Sequence, residues 1–299
     1  MKGEMAWLFK KKITLPSPLM EKDWREIKWG DKEKELKALK SKVQELQLGS
    51  PDVQHLRILM YGPPGAGKSS FVNIDSIFQD RMTSAATVDA ATDVSFTKMF
   101  QIHKIRKGKS GQLPFVICDV MGLETGDSGG VHPEDLMNTL KGHVKNGYKL
   151  NPRSPISDSD PHYNSCPSLG DRIHCLVGIV PADKVSLIDD DFFKKMREIR
   201  IKASELKIPE VAVLTKIDMA CPEVHKDITL VYRSKKIKEN MQIFSNKFGV
   251  PMTNIFPVKN YHEEGSLKLD LNVLMLSALI NILNFANDHV GVMADSEDN

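Results

Sequence analysis

Leu56-Arg57-Ile58-Leu59-Met60-Tyr61-Gly62-Pro63-Pro64-Gly65-Ala66-Gly67-Lys68-Ser69-Ser70-Phe71-Val72 reads as a strand, a glycine-rich turn and the opening of a helix. The turn, Gly62 to Ser69, fits the pattern G-x-x-x-x-G-K-[ST] in full, and the flanking strand and helix supply the context that makes it a phosphate site. Glycines let the backbone wrap a phosphate with its N–H groups pointing inward, and the helix start adds the positive end of its dipole. The candidate phosphate-binding residues are Gly62, Gly65, Ala66, Gly67, Lys68, Ser69 and Ser70. Among them Lys68 would reach the β and γ phosphates, and the Ser69 hydroxyl would be offered to Mg²⁺. Pro63 and Pro64 have no N–H, so the pair removes donors and stiffens the loop without touching those nearest the phosphates.

Working outward, short apolar runs alternate with helical patterns, as in a parallel sheet covered by crossover helices. The apolar runs are Leu56 to Tyr61, Phe115 to Asp119, Ile173 to Val180, Val211 to Thr215 and Ile255 to Val258. A more polar, alternating run from Phe100 to Ile105 fits an edge strand wet on one side. Helices are expected near Gly67 to Phe78, Pro133 to Asn146, Asp190 to Leu206, Ile228 to Phe248 and Leu269 to Asn287. The fold class is therefore α/β, a P-loop nucleotide-binding domain with a mostly parallel sheet of about six strands and helices on both faces. Residues 51–290 form this domain. Residues 1–50 form an extension whose helix, Asp31 to Leu48, sets Leu36, Leu39, Val43 and Leu46 on one side; residues 291–299 form an acidic tail expected to be disordered. Between Gly122 and Ile173 the chain spends about fifty residues on one helix and a Pro, Ser and Asp rich stretch, the mark of a lid or a disordered segment.

The ends of two further strands carry the rest of the site. Phe115 to Gly122 is an apolar strand ending in D-x-x-G, which places Asp119 to hold a metal-bound water and the Gly122 N–H near the γ phosphate. Thr215-Lys216-Ile217-Asp218 follows the strand Val211 to Leu214. The Asp218 carboxylate can accept both N1–H and N2–H₂ of guanine, whereas adenine presents an acceptor there and would leave a buried charge unpaired. Lys216 would lay its stem along the base. The order of these motifs resembles the Ras-like GTPase superfamily. In that superfamily the segment matching Pro257-Val258-Lys259-Asn260 touches the guanine oxygen, which suggests Lys259, and a switch threonine completes the metal site. Thr87, Thr92 and Thr97 are all available, and Thr92 is the choice. Mg²⁺ and GTP or GDP are the expected ligands. The glutamine that orients water in many small GTPases is replaced by Leu123, and with Pro63 and Pro64 this leads us to expect slow hydrolysis without a partner.

The formal net charge of +2 gives no field that would draw the protein onto nucleic acid. Four cysteines, Cys118, Cys166, Cys175 and Cys221, show no close pair, which excludes a zinc ribbon or dithiol motif. The N-terminal residues lack the order of a secretory signal, and no stretch approaches the ~20 apolar residues of a membrane span, so the cytoplasm is the expected compartment. Lys10, Lys11 and Lys12 beside Trp7 and Phe9 make a weak membrane anchor and read as a solvated terminus.

More narrowly, the chain from Trp24 to about Ala286 resembles the interferon-induced protein 44 family. Trp24-Arg25-Glu26-Ile27, Gly65 to Phe71, Leu113-Pro114-Phe115, Pro167 to Cys175 and Leu276-Ser277-Ala278-Leu279 carry the resemblance. It implies a cytosolic, interferon-responsive protein of antiviral innate immunity with a GTP-binding domain, and a short member without the family's additional N-terminal domain. A nucleotide-switched GTPase, a GTP-binding scaffold acting through protein partners or as a homo-oligomer, and an ATPase are the competing readings; Asp218 argues against the last.

Overall fold

The structure, a computed structural model, describes residues 16–83, 99–108, 111–120 and 131–297. Trp7, Phe9, Lys10 to Lys12, Thr87, Thr92, Thr97, Gly122, Leu123 and Glu124 lie outside these residues.

Six strands form one sheet in the order β2-β3-β1-β4-β5-β6. They are β1 (Leu56–Tyr61), β2 (Gln101–Lys107), β3 (Gly111–Asp119), β4 (Cys175–Pro181), β5 (Glu210–Thr215) and β6 (Ile255–Pro257). β2 runs antiparallel to β3 at the edge and every other neighbour is parallel. The apolar runs thus become the parallel interior, and the alternating polar run becomes the half-wet edge. Successive side chains of β1 point to opposite faces, and each face buries its own layer of helices. Leu59 and Tyr61 join a core with α4 (Pro133–Lys141), α5 (Asp190–Glu205) and α8 (Lys235–Phe248). Leu56, Ile58 and Met60 join another with α1 (Lys32–Gln44), α2 (Lys68–Val72), α3 (Asp75–Gln79) and α9 (Leu269–Glu297).

Several helix boundaries differ from the sequence expectation, each for a local reason. The helix expected from Gly67 to Phe78 breaks into α2 and α3, because the chain tightens between them: Asn73 N–H donates to Ser70 O at 3.2 Å and Ile74 N–H to Phe71 O at 3.1 Å. The break lets buried Asp75 turn toward β2, where it accepts from the Arg106 backbone N–H at 2.9 Å and the Arg106 guanidinium at 2.7 Å. α4 stops at Lys141 rather than Asn146, ended by Gly142 at φ +87°, where a side chain would meet the Asp171 carbonyl at 2.8 Å. α8 starts at Lys235 rather than Ile228, since the Ser234 hydroxyl accepts the Ile237 N–H at 3.2 Å as its N-cap. The short helices α6 (Ile217–Ala220) and α7 (Pro222–Lys226) precede it.

α9 runs to Glu297, so the segment 291–299, expected to be a disordered acidic tail, is helical to that residue. By length and composition Leu269–Ser296 could cross a membrane, contrary to the expectation that no stretch comes near. Its apolar residues instead cover the sheet, and 61% of the apolar window is buried.

The N-terminal extension packs onto the domain. Asp31 caps α1 by accepting the Lys34 N–H at 3.0 Å, and Leu39 and Val43 sink into the core beside α9. Asn287 of α9 clasps the turn after α1, accepting from Gly49 N–H at 2.8 Å and donating to Gln47 O at 2.9 Å. Upstream, Trp24 meets Tyr232 edge-on at 5.1 Å, and the Arg25 guanidinium donates to the Ile255 and Met252 carbonyls. The described part of the long Gly122 to Ile173 connection is held by buried Asp135, which accepts the Ile156 N–H at 2.6 Å and the Tyr148 hydroxyl at 3.1 Å.

His174, fully buried just before β4, accepts the Arg57 N–H on Nδ1 at 2.9 Å and faces the Leu169 carbonyl with Nε2 at 2.9 Å. Burial lowers its pKa to about 4 from 6.5, and the bond to Leu169 only partly offsets this. The folded-state pKa is depressed, so the contribution is present above pH 6.5 and is lost as pH falls towards 4, by about 3 kcal/mol in all. Glu210, whose carboxyl burial pushes up to about 7, pulls the other way over the upper part of this range. The expected result is therefore a difference: between pH 7.5 and 4.5, urea unfolding shows wild type losing more stability than His174→Gln.

Candidate functional site

The turn after β1 sits at the carboxyl end of the sheet between β3 and β4, where an open parallel sheet leaves a crevice. Gly62 leaves β1 at φ +150° with its backbone against Ile179 of β4. Gly65 and Gly67 take φ +67° and +91°, which curls the loop and aims α2 into it. Lys68 is 5% exposed and turns back into the loop, where Nζ donates to Pro63 O at 3.0 Å and Gly62 O at 3.2 Å. The two prolines take part through their neighbourhood: the Pro63 carbonyl holds the lysine although its nitrogen can donate nothing.

At the start of α2 the Ser69 hydroxyl donates to Asp119 Oδ2 at 2.9 Å. Both groups are buried, and they come from elements far apart in sequence. A hydroxyl and a carboxylate oxygen side by side are hard donors, the kind Mg²⁺ takes while keeping its remaining positions for water and phosphate oxygen. The pair fits the cation that the sequence expects, with Ser69 and Asp119 as its holders. Gly122 and Thr92, the other residues expected here, lie outside the described residues.

The Thr215-Lys216-Ile217-Asp218 motif is joined to this loop. Thr215, at the end of β5 and fully buried, donates its hydroxyl to the Ala66 carbonyl at 2.6 Å. Its role in the structure is to tie the two motifs, while Lys216, in the left-handed region at φ 54°, turns the chain into α6. Asp218 sits in the first turn of α6, its side chain 15% exposed. Lys259 does meet this site, but through the carboxylate: its Nζ lies 3.4 Å from Asp218 Oδ2 and 2.6 Å from Glu264 Oε1.

Sequence reasoning passed over Asn260 and Glu264. The Asn260 amide donates to Gly67 O at 2.9 Å, a second tie on the phosphate loop, and a side chain on Gly67 would come within 2.6 Å of that amide nitrogen. No local pattern marks either residue, since both act on partners distant in the chain. A cavity of about 560 Å³ lined by His55, Arg57, Lys104 and Asp171 opens at the opposite end of β1 and takes no part in this site.

No family model matches the chain. Over 238 residues it is 34% identical to interferon-induced protein 44 of Mus musculus, covering 79% of this chain and 56% of that protein. It is 35% identical to interferon-induced protein 44-like of Homo sapiens over 240 residues, 79% of this chain and 52% of that protein. The chain thus spans about half the length of the curated relatives it matches. Among solved structures it is similar to a probable GTP-binding protein engB, with TM-score 0.40 and 14% identity over 78% of this chain and 98% of that one. It is also similar to Era in complex with MgGDPNP and 16S ribosomal RNA nucleotides, with TM-score 0.38 and 14% identity over 79% and 57% of the two chains.

Proposed function

With this chain a homologue of the interferon-induced protein 44 proteins, we propose that it is a guanine-nucleotide-binding protein of the interferon-induced antiviral response. In this reading it acts in the cytoplasm, holds Mg-GTP or Mg-GDP, and hydrolyses GTP slowly or only with a partner's help. The observation that carries it is the bond from Thr215 to the Ala66 carbonyl, which fastens the motif that would read the base to the loop that would hold the phosphates. Bound Mg²⁺ would neutralise charge on the β and γ phosphate oxygens. Lys68, whose ammonium now bonds the Gly62 and Pro63 carbonyls, would turn to add its positive charge there, and N–H groups at the start of α2 would add their dipoles. Asp218 accepts the guanine N–H groups, and Lys216 covers the base face.

Support for slow cleavage is chemical. Leu123 offers no polar atom to orient water, and the prolines stiffen the side of the loop from which an assisting arginine enters in relatives of this fold class. A GTP-binding scaffold that acts through protein partners is the second reading, favoured by the same residues.

Calorimetric titration with Mg²⁺ and GTP, GDP or ATP is expected to show guanine preference, and Asp218→Asn is expected to weaken GDP by about thirtyfold, the worth of one charged hydrogen-bond pair. Preference for ATP overturns the reading of the base. Single-turnover cleavage of GTP by the protein alone is expected to take minutes or longer; completion within seconds overturns slow hydrolysis.

A further inference from the structure

The segment between β6 and α9 is pinned at both ends and carries one lysine between two carboxylates. Val258 N–H donates to Leu214 O at 2.8 Å, which fixes the segment to the end of β5 just before Asp218. Asn260 is held to the phosphate loop by its bond to Gly67. Tyr261 is buried, its hydroxyl donating to Asn272 Oδ1 at 2.7 Å and accepting the Lys268 N–H at 2.8 Å. Lys259 therefore has little freedom of backbone, and its ammonium is shared unequally, 2.6 Å from Glu264 and 3.4 Å from Asp218. Glu264 is itself oriented, because its second oxygen accepts the His262 N–H at 2.9 Å.

The inequality has a chemical meaning. A guanine base offers its donors to the carboxylate of Asp218, and an ammonium that paired fully with that carboxylate would compete for the same lone pairs. A nearby positive charge is nonetheless needed to offset the repulsion between the two carboxylates, Asp218 and Glu264. A lysine drawn to a second acid meets both needs: its charge stays close and its hydrogen bond goes elsewhere. Burial disfavours the Lys259 ammonium, yet the bond to Glu264 and the charge of Asp218 outweigh it, so its pKa lies above the ordinary lysine value. Glu264 is correspondingly held below the usual carboxylate range, where its bonds to His262 and Lys259 overcome burial.

We propose that Glu264 and Lys259 are positioning residues for the base-reading carboxylate: Glu264 draws the Lys259 ammonium off Asp218, and so sets the affinity for guanine and its discrimination from xanthine. The proposal rests on the reading of Asp218 as the residue that accepts the guanine N–H groups. Xanthine is the informative contrast, since it carries a carbonyl where guanine has its amino group. A carboxylate repels that carbonyl, whereas a released ammonium donates to it.

The test uses the full chain with Mg²⁺ and titrates GDP, XDP and ADP into wild type, Glu264→Gln, Lys259→Met and the double variant. Glu264→Gln is expected to weaken GDP about tenfold and to lower the GDP to XDP preference by at least as much, the scale of one redirected charged hydrogen bond. In the Lys259→Met background the same Glu264 change is expected to leave that preference unmoved, because the ammonium through which it acts is gone. Thermal unfolding without nucleotide checks that all four proteins are folded; if Glu264→Gln alone is unstable, Glu264→Asp, which keeps the charge but shortens its reach to Lys259, takes its place in the cycle with the same expected outcome. An unchanged preference in Glu264→Gln overturns the proposal, as does an equal loss with and without Lys259, which would place the effect in the loop backbone. Failure of wild type to prefer GDP over ADP overturns the underlying reading of Asp218 instead, so the two failures are told apart.

Discussion

Lys68→Ala is expected to weaken GDP and GTP binding about a thousandfold, equivalent to ~4 kcal/mol, while moving the unfolding temperature of the nucleotide-free protein by only a few degrees. The size follows from what the side chain would do. A single ammonium facing two anionic phosphate groups makes charge-assisted hydrogen bonds in a site walled by buried backbone, where each is worth more than its counterpart in water. The smaller effect on the fold follows from what it does in the structure: Nζ donates to the carbonyls of buried Gly62 and half-buried Pro63, and water entering the space the side chain leaves can take its place. Calorimetry gives the affinity and differential scanning fluorimetry the stability. An affinity within tenfold of wild type would mean that the lysine belongs to the loop's architecture and not to the ligand.

Gly62→Ala is the complementary experiment, with its effect on the fold. A Cβ on Gly62 would lie 2.0 Å from the Ile179 carbonyl oxygen and 3.0 Å from its carbon, at a backbone φ of +150°. The obstructing atoms are backbone of β4, which is hydrogen-bonded on both sides by β1 and β5 and cannot retreat. The expected cost is ~4 kcal/mol or more, a fall of about 10 °C in the unfolding temperature for a chain of this size or failure to fold at all. Gly65→Ala in the same motif is the internal comparison. Its φ of +67° is strained for alanine, but nothing lies within 4 Å of the added carbon, so the cost should be ~1 kcal/mol. Equal losses at the two positions would show that conformation rather than the approach of β4 makes Gly62 necessary.

The contrast between these two glycines also marks how far the sequence could be read. The strand, turn and helix start around the phosphate loop were legible because each rests on neighbours in the chain: β1 was expected at its observed bounds. The edge strand at β2 was legible too, since alternation is a local signal; its antiparallel direction, set by pairing with β3, was not. The helix break at Asn73 was not, because the contact it permits, Asp75 with Arg106 of β2, joins residues distant in the chain. The site divides along the same line. Lys68, Ser69, Asp119 and Asp218 follow from motifs whose spacing the chemistry dictates. Asn260 and Glu264 belong to no motif, and only folding brings them to Gly67 and Lys259. For Thr215 and Lys259, both expected near the base, folding adds partners that no motif announces: the Ala66 carbonyl for the first and the Asp218 carboxylate for the second.

Three consecutive residues, Lys259, Asn260 and Tyr261, reach respectively the Asp218 carboxylate, the glycine loop at Gly67 and the root of α9. In mechanical terms they act as one axle through the domain. Asp218, the curl of the loop after β1 and the helix that shares a sheet face with α2 cannot shift separately without breaking one of these bonds. Since α9 in turn grips the chain after α1 through Asn287, a displacement of the glycine loop would have a rigid route to the surface that carries the N-terminal helix.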